Sequence, residues 1–219
     1  LLSQTGVLTL TGRIGAQAVT LAADALQLGG TISAAGSLQL VSLGNVVQSG
    51  SLATGLLTVT AAGSVQLDGT DTIAVLGNVA APNGLTLRNL GDLLVQGQVV
   101  AGAAADLATT GNLTVAGPVT AAGVALAGES VTVQGAVAAS GPLAVTATGG
   151  DVVVTGTLIT VEGTVTTVPG TVMTVPGTVT MVPETSMVVP AVTVSVVVSV
   201  AISAVVGVLL VVVVSPSPV

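Results

Sequence analysis

An all-β parallel β-helix of about eight rungs is the fold that the sequence predicts for residues 1–162, and three observations predict it. First, Gly followed by any residue and then Ile, Val or Leu returns at Gly12, Gly30, Gly50, Gly77, Gly97, Gly117, Gly135 and Gly156, with spacings of 18, 20, 27, 20, 20, 18 and 21 residues. A fixed period of this size marks a solenoid, in which each repeat buries its apolar face only by stacking on its neighbours. Second, the repeats carry triplets of the form apolar, small or polar, apolar. Third, Gly, Asn, Asp and Ser punctuate those triplets, which is turn chemistry, while no apolar pattern of helical period persists.

The triplets place the strands in order. Leu8-Thr9-Leu10, Val19-Thr20-Leu21, Leu26-Gln27-Leu28 and Leu38-Gln39-Leu40 come first, and Leu57-Thr58-Val59, Val65-Gln66-Leu67 and Leu85-Thr86-Leu87 follow. Leu113-Thr114-Val115, Val131-Thr132-Val133 and Leu143-Ala144-Val145 complete the series. On a strand the outer two side chains of a triplet point one way and the middle one the other, so Leu57 and Val59 are assigned to the core and Thr58 to solvent. A repeat of about 20 residues then holds three short strands and three turns, each strand pairing with its equivalent one rung on at about 4.8 Å. The single long interval, Gly50 to Gly77, reads as an insertion of residues 69–76 at a corner, where solenoids often carry their binding face. A two-sheet sandwich would share the short strands, but the regular Gly unit favours the helix.

Residues 163–190 differ in kind. Gly163 to Pro169, Gly170 to Pro176, Gly177 to Pro183 and Glu184 to Pro190 are seven-residue units, and a Pro every seven residues reads as a linker or a chain of very short strands. Residues 191–219 form an uncharged apolar tail of low complexity, rich in Val. The run Ala191 to Val214 is long enough to span a bilayer as a helix, and it is the only stretch from which membrane contact is expected. Its alternation of Val192, Val194, Val196 and Val198 with Thr193 and Ser195 also suits an aggregation-prone strand, and a frameshifted, non-natural end is the third reading.

Composition excludes whole classes of function. The 219 residues include no Cys, His, Phe, Tyr or Trp and only 5% charged side chains, which removes imidazole, thiolate and aromatic-platform chemistry. Arg13 and Arg88 face nine acidic residues, a balance that argues against nucleic acid as a partner. The two Arg also lie about four rungs apart, or roughly 20 Å, so they cannot stabilise charge in one active site with clustered carboxylates, and the chain is read as no enzyme. No signal peptide is visible, and an opening on Leu1-Leu2 in mid-repeat reads as a fragment of a longer chain.

The polar candidates are few. Asp92, Asn112, Ser130 and Asp151 each precede a triplet or its equivalent, so they are expected to stack as a column up one corner, with Glu129 beside it. Such a column could in principle hold calcium, but turn residues satisfying backbone N–H groups are the expected role. Asp68 and Asp71, the closest acidic pair, are read as a solvated loop at the start of the insertion, and Gly149-Gly150-Asp151 occurs once and lacks the spacing of calcium-binding nonapeptides. No catalytic, metal or cofactor site is assigned. Outward Thr pairs (Thr9 and Thr11, Thr58 and Thr60, Thr146 and Thr148) raise an ice- or mineral-binding face as a minor alternative.

Runs such as Gly55-Leu56-Leu57-Thr58-Val59-Thr60-Ala61-Ala62-Gly63-Ser64-Val65-Gln66-Leu67 and Gly111-Asn112-Leu113-Thr114-Val115-Ala116-Gly117-Pro118-Val119 resemble the haemagglutinin-type repeats of filamentous haemagglutinin and related two-partner-secretion exoproteins. The resemblance implies a right-handed β-helix that is secreted or held at the cell surface, on an outer membrane or cell wall. It further implies an adhesive or structural role, with glycans or proteins of a host cell or other surface as partners of the solenoid face. The alternative is a spacer stalk anchored to wall or membrane by the tail. Val182-Pro183-Glu184-Thr185-Ser186 resembles a degenerate sortase sorting signal, which implies the wall anchor.

Overall fold

A continuous parallel ladder runs through the protein from β1 (Leu2–Ser3) to its last short strands. The computed structural model describes residues 1–160, 173–174 and 179–181. Every strand pairing is parallel, and the strands fall into an eight-stranded sheet and a 15-stranded sheet that enclose one aliphatic core. No helix occurs among the described residues. The expected β-solenoid of about eight turns is therefore the fold.

The eight-stranded sheet takes one strand from each rung: β2 (Val7–Leu10), β4 (Ala25–Leu28), β6 (Val46–Gln48), β8 (Val65–Leu67), β10 (Leu85–Asn89), β13 (Ala104–Thr109), β16 (Gly123–Gly128) and β19 (Leu143–Ala147). Stacking in register puts Leu8, Leu26, Val46, Val65 and Leu85 in one inward column that continues to Leu143. Both outer members of each predicted triplet are buried except Leu10, which is half-buried on the terminal rung, and the middle members are exposed or half-buried. Alternation is thus satisfied at every rung, and the core is lined by Leu, Val, Ile and Ala with no aromatic ring.

The other sheet changes shape along the axis. In the first four rungs one long strand covers two sides of the solenoid: β3 (Arg13–Ala23), β5 (Thr31–Ser42), β7 (Ser51–Ala61) and β9 (Thr72–Ala81). These strands turn their corner through register shifts between Ala16 and Ala18, Ala34 and Ser37, and Leu57 and Val59. Later rungs break that strand in two. β11 (Leu93–Val95) and β12 (Val99–Ala101) both stack on β9. Above them lie the pairs β14 (Leu113–Val115) and β15 (Val119–Ala121), β17 (Val131–Val133) and β18 (Ala136–Ala139), then β20 (Val152–Val154) and β21 (Thr157–Thr160). Three short strands per rung, as expected, describe only this second half.

Glycine records the change. Gly30 packs on Gly12, Gly50 on Gly30 and Gly69 on Gly50, at the corner that follows the eight-stranded sheet. Gly97 packs on Gly77, Gly117 on Gly97, and Gly135 and Gly156 continue that series at the next corner. The interval from Gly50 to Gly77 therefore spans two different corners, and it holds no insertion. Gly69 is the rung mate of Gly50, 19 residues on, and residues 72–76 belong to β9. The reading of 69–76 as an inserted loop is corrected by this register: a Gly at either corner satisfies the same need for close backbone approach, so the repeat unit looks alike at both.

Two short strands beyond residue 160, β22 (Met173–Thr174) and β23 (Val179–Met181), pair with β20 and β21. The ladder thus extends into the Pro-containing units of residues 163–190. What was read for the remainder of those units and for the tail of residues 191–219 lies outside the described residues.

Candidate functional site

A cluster of buried polar side chains interrupts the aliphatic core where the cross-section changes. Gln48 occupies the inward column between Leu28 and Leu67, where its side chain is 1% exposed. Asp71 lies just ahead of β9, is fully buried, and continues inward from Ile14, Ile32 and Leu52 at the corner of the next rung. A buried polar group needs a partner, and these two supply each other. Gln48 Nε2 donates to Asp71 Oδ1 (2.9 Å) and to Gly50 O (2.8 Å), while Gln48 Oε1 accepts from Gly69 N (3.1 Å). Asp71 Oδ1 also accepts from Leu52 N at 2.9 Å, but Asp71 Oδ2 is buried with no hydrogen-bond partner.

Asn89 completes the seam one rung further on. Its Oδ1 accepts from Ile73 N (2.7 Å) and its Nδ2 donates to Asp92 O (3.2 Å), while Leu90 N donates to Asp71 O (2.7 Å). The chain then turns sharply at Gly91, whose φ of 80° lies in the left-handed region, and enters the first short strand of the new cross-section. Burial pushes the Asp71 carboxyl up to about 6, against the Leu52 N–H and Gln48 bonds that favour the ionised form. The group that a sequence reading assigns to a solvated loop is therefore the most enclosed acid of the described residues. Its clue was the neighbouring triplet Val46-Val47-Gln48, which ends on a polar residue where every other rung has Leu or Val.

Register places Asp92, Asn112, Ser130 and Asp151 in one column, as expected, because Leu93, Leu113, Val131 and Val152 pair in series. Asp92 Oδ1 accepts the backbone N–H of Asn112 at 2.8 Å. The same device recurs elsewhere: Asn45 Oδ1 accepts from Ser64 N (2.9 Å), Asn78 Oδ1 from Gln98 N (2.9 Å) and Asp24 Oδ2 from Gly6 N (2.7 Å). Each bond reaches the adjacent rung, so an Asx oxygen replaces a ladder carbonyl at a corner where the backbone bends away. Glu129 stands exposed beside the column, and its backbone carbonyl accepts from Gly150 N at 2.7 Å. Among the described residues no three His, Cys, Asp or Glu side chains group so as to hold a metal ion.

Arg88 leaves β10 on the outer surface of the eight-stranded sheet, paired with Asp106 of β13, with both side chains partly exposed. Arg13 stands at the start of β3 in the first rung. The Thr pairs scatter: Thr58 lies on the 15-stranded sheet, whereas Thr9 and Thr146 lie on the eight-stranded one, so they build no common array. Compared with known proteins, the chain matches no family model, no curated protein and no solved structure.

Proposed function

We propose that this chain is a non-catalytic structural and adhesive segment of a secreted or surface-held bacterial exoprotein, a length of shaft built like the haemagglutinin-type repeats that its sequence resembles. The observation that carries this reading is the inward aliphatic position from Leu8 to Leu143, filled in every one of the eight rungs, because it makes the segment a self-supporting rod whose outer surface is free to vary. Contact with a glycan or protein on another surface would then spread along flat strand faces. No pocket chemistry is needed for that role. The alternative is a pure spacer, in which the solenoid sets distance and the apolar tail supplies the anchor.

Adhesion can be tested with beads that carry the purified chain at matched density, applied to cultured cells and immobilised glycans. Retention well above that of beads bearing an unrelated β-solenoid supports the adhesive role. Retention equal to that control overturns it and leaves the spacer.

A further inference from the structure

One side of the 15-stranded sheet presents an outward column of small and β-branched side chains, none of them charged. From Ala22 it continues in unbroken register through Val41, Thr60, Ala80, Val100, Thr120 and Ala138 to Ile159, one residue from each of eight rungs, and pairing with Ser3 and Thr180 extends it at its two ends. Val100 is 42% exposed and Ile159 41%, and Thr60 and Thr120 are exposed as well. Charge is absent from this face. Among the described residues, Arg88 and Asp106 sit on the eight-stranded sheet, Asp71 in the core, Arg13 at the opposite end of β3, and the remaining acids at corners.

We propose that this uncharged face is a self-association surface, which takes the same face of a second copy of the chain in an antiparallel, two-fold arrangement. The pitch selects the occupant. A column with one side chain per rung makes ridges and furrows about 4.8 Å apart, and only a partner of the same pitch can fill furrow with ridge over the whole length. A second copy has that pitch by construction. Eight rungs give a strip about 38 Å long, and four residues of strand make it about 13 Å wide. Two such strips bury about 1,000 Å² in total, the lower limit for a specific interface, so the dimer is weak and reversible. No ion is desolvated in forming it. The charged residues that the structure describes lie off the face, and the chain's net charge of −7 opposes approach, so added salt should strengthen association.

Sedimentation velocity of the full chain from about 1 to 200 μM tests this, since a weak interface corresponds to dissociation in that range. The expected result is a reversible monomer–dimer equilibrium that tightens with salt, in which Val100→Lys and Thr120→Lys each weaken the dimer at least about tenfold by placing a charge in the interface. Gln66→Lys, exposed on the eight-stranded sheet, should leave the equilibrium unchanged, and circular dichroism checks that all three variants fold. A positive readout guards against misfolding. The chain has no cysteine, so V100C, near the middle of the column and hence near the two-fold axis, should crosslink to dimer with a short bis-maleimide while Q66C should not. A wild-type chain that stays monomeric overturns the proposal. So does association that survives both Lys variants, which would assign it to another segment such as residues 191–214, and so does equal crosslinking of V100C and Q66C.

Discussion

Replacing Asp71 with Asn should change how the protein's stability responds to pH more than it changes the structure. The carboxyl rises from 3.8 to about 6 because it is buried, with Oδ2 unpartnered in the core. A folded-state pKa above the unfolded one means that folding favours the protonated acid. That stabilisation is fully present below about pH 3.8, declines as pH rises, and is lost above about pH 6. A shift of roughly two units corresponds to about 3 kcal/mol, an order-of-magnitude figure, between the two limits. The variant keeps an acceptor for Leu52 N and Gln48 Nε2 and places an amide where Oδ2 was, leaving a buried donor that costs about 1–3 kcal/mol at every pH. Taking the difference between the two proteins at each pH cancels what they share and leaves the contribution of the Asp71 carboxyl. Urea unfolding of wild type and Asp71→Asn across about pH 3.5 to 7.5 should show wild type losing about 3 kcal/mol relative to the variant as pH rises. A difference that stays flat with pH would refute the reasoning, since it would mean that Asp71 has water or a counter-ion in the folded protein.

Other substitutions test the register and the corners. Leu113→Asp puts an unpaired charge at a fully buried position and should cost several kcal/mol, about 3–5, whereas Thr114→Asp on the same strand should cost under about 1 kcal/mol; equal losses in thermal unfolding would sink the assignment of faces. Gly117→Ala drives a methyl group into the Gly97 carbonyl of the rung below and should destabilise by about 1–3 kcal/mol, while Gly12→Ala, with nothing within 4 Å of the added carbon, should be close to neutral. Arg88→Ala breaks a partly exposed ion pair and should lower stability by no more than about 1 kcal/mol, less at high salt; a larger loss would show that the pair is more than a surface contact. Millimolar calcium should leave the melting temperature almost unmoved, because the Asx oxygens of the corner column that are bonded already serve backbone N–H groups; an upward shift of many degrees would reveal a real site.

What the sequence determined by itself is the part of this fold that is periodic. Alternation assigned Leu57, Leu113 and Val145 to the core because the side-chain period of a strand is two, and the spacing near 20 residues showed how much chain closes a rung before the next begins. It also placed Asp92, Asn112, Ser130 and Asp151 in one column, since residues that precede equivalent strands must stack when the strands do. Only the tertiary structure decided which corner each glycine turns. Gly50 and Gly77 carry the same local signal, and the difference lies in what is stacked beneath them, Gly30 in one case and β7 in the other. The fate of Asp71 depended on the same information. Read locally, Leu67-Asp68-Gly69-Thr70-Asp71 is a turn with two solvated acids, and Asp68 behaves that way. Asp71 turns inward because the long strand of the fourth rung starts one residue later, and Gln48, 23 positions earlier in the chain, waits there with an amide. Burial is a property of what surrounds a residue, and in a solenoid those surroundings come from the rungs above and below, a full repeat away in sequence.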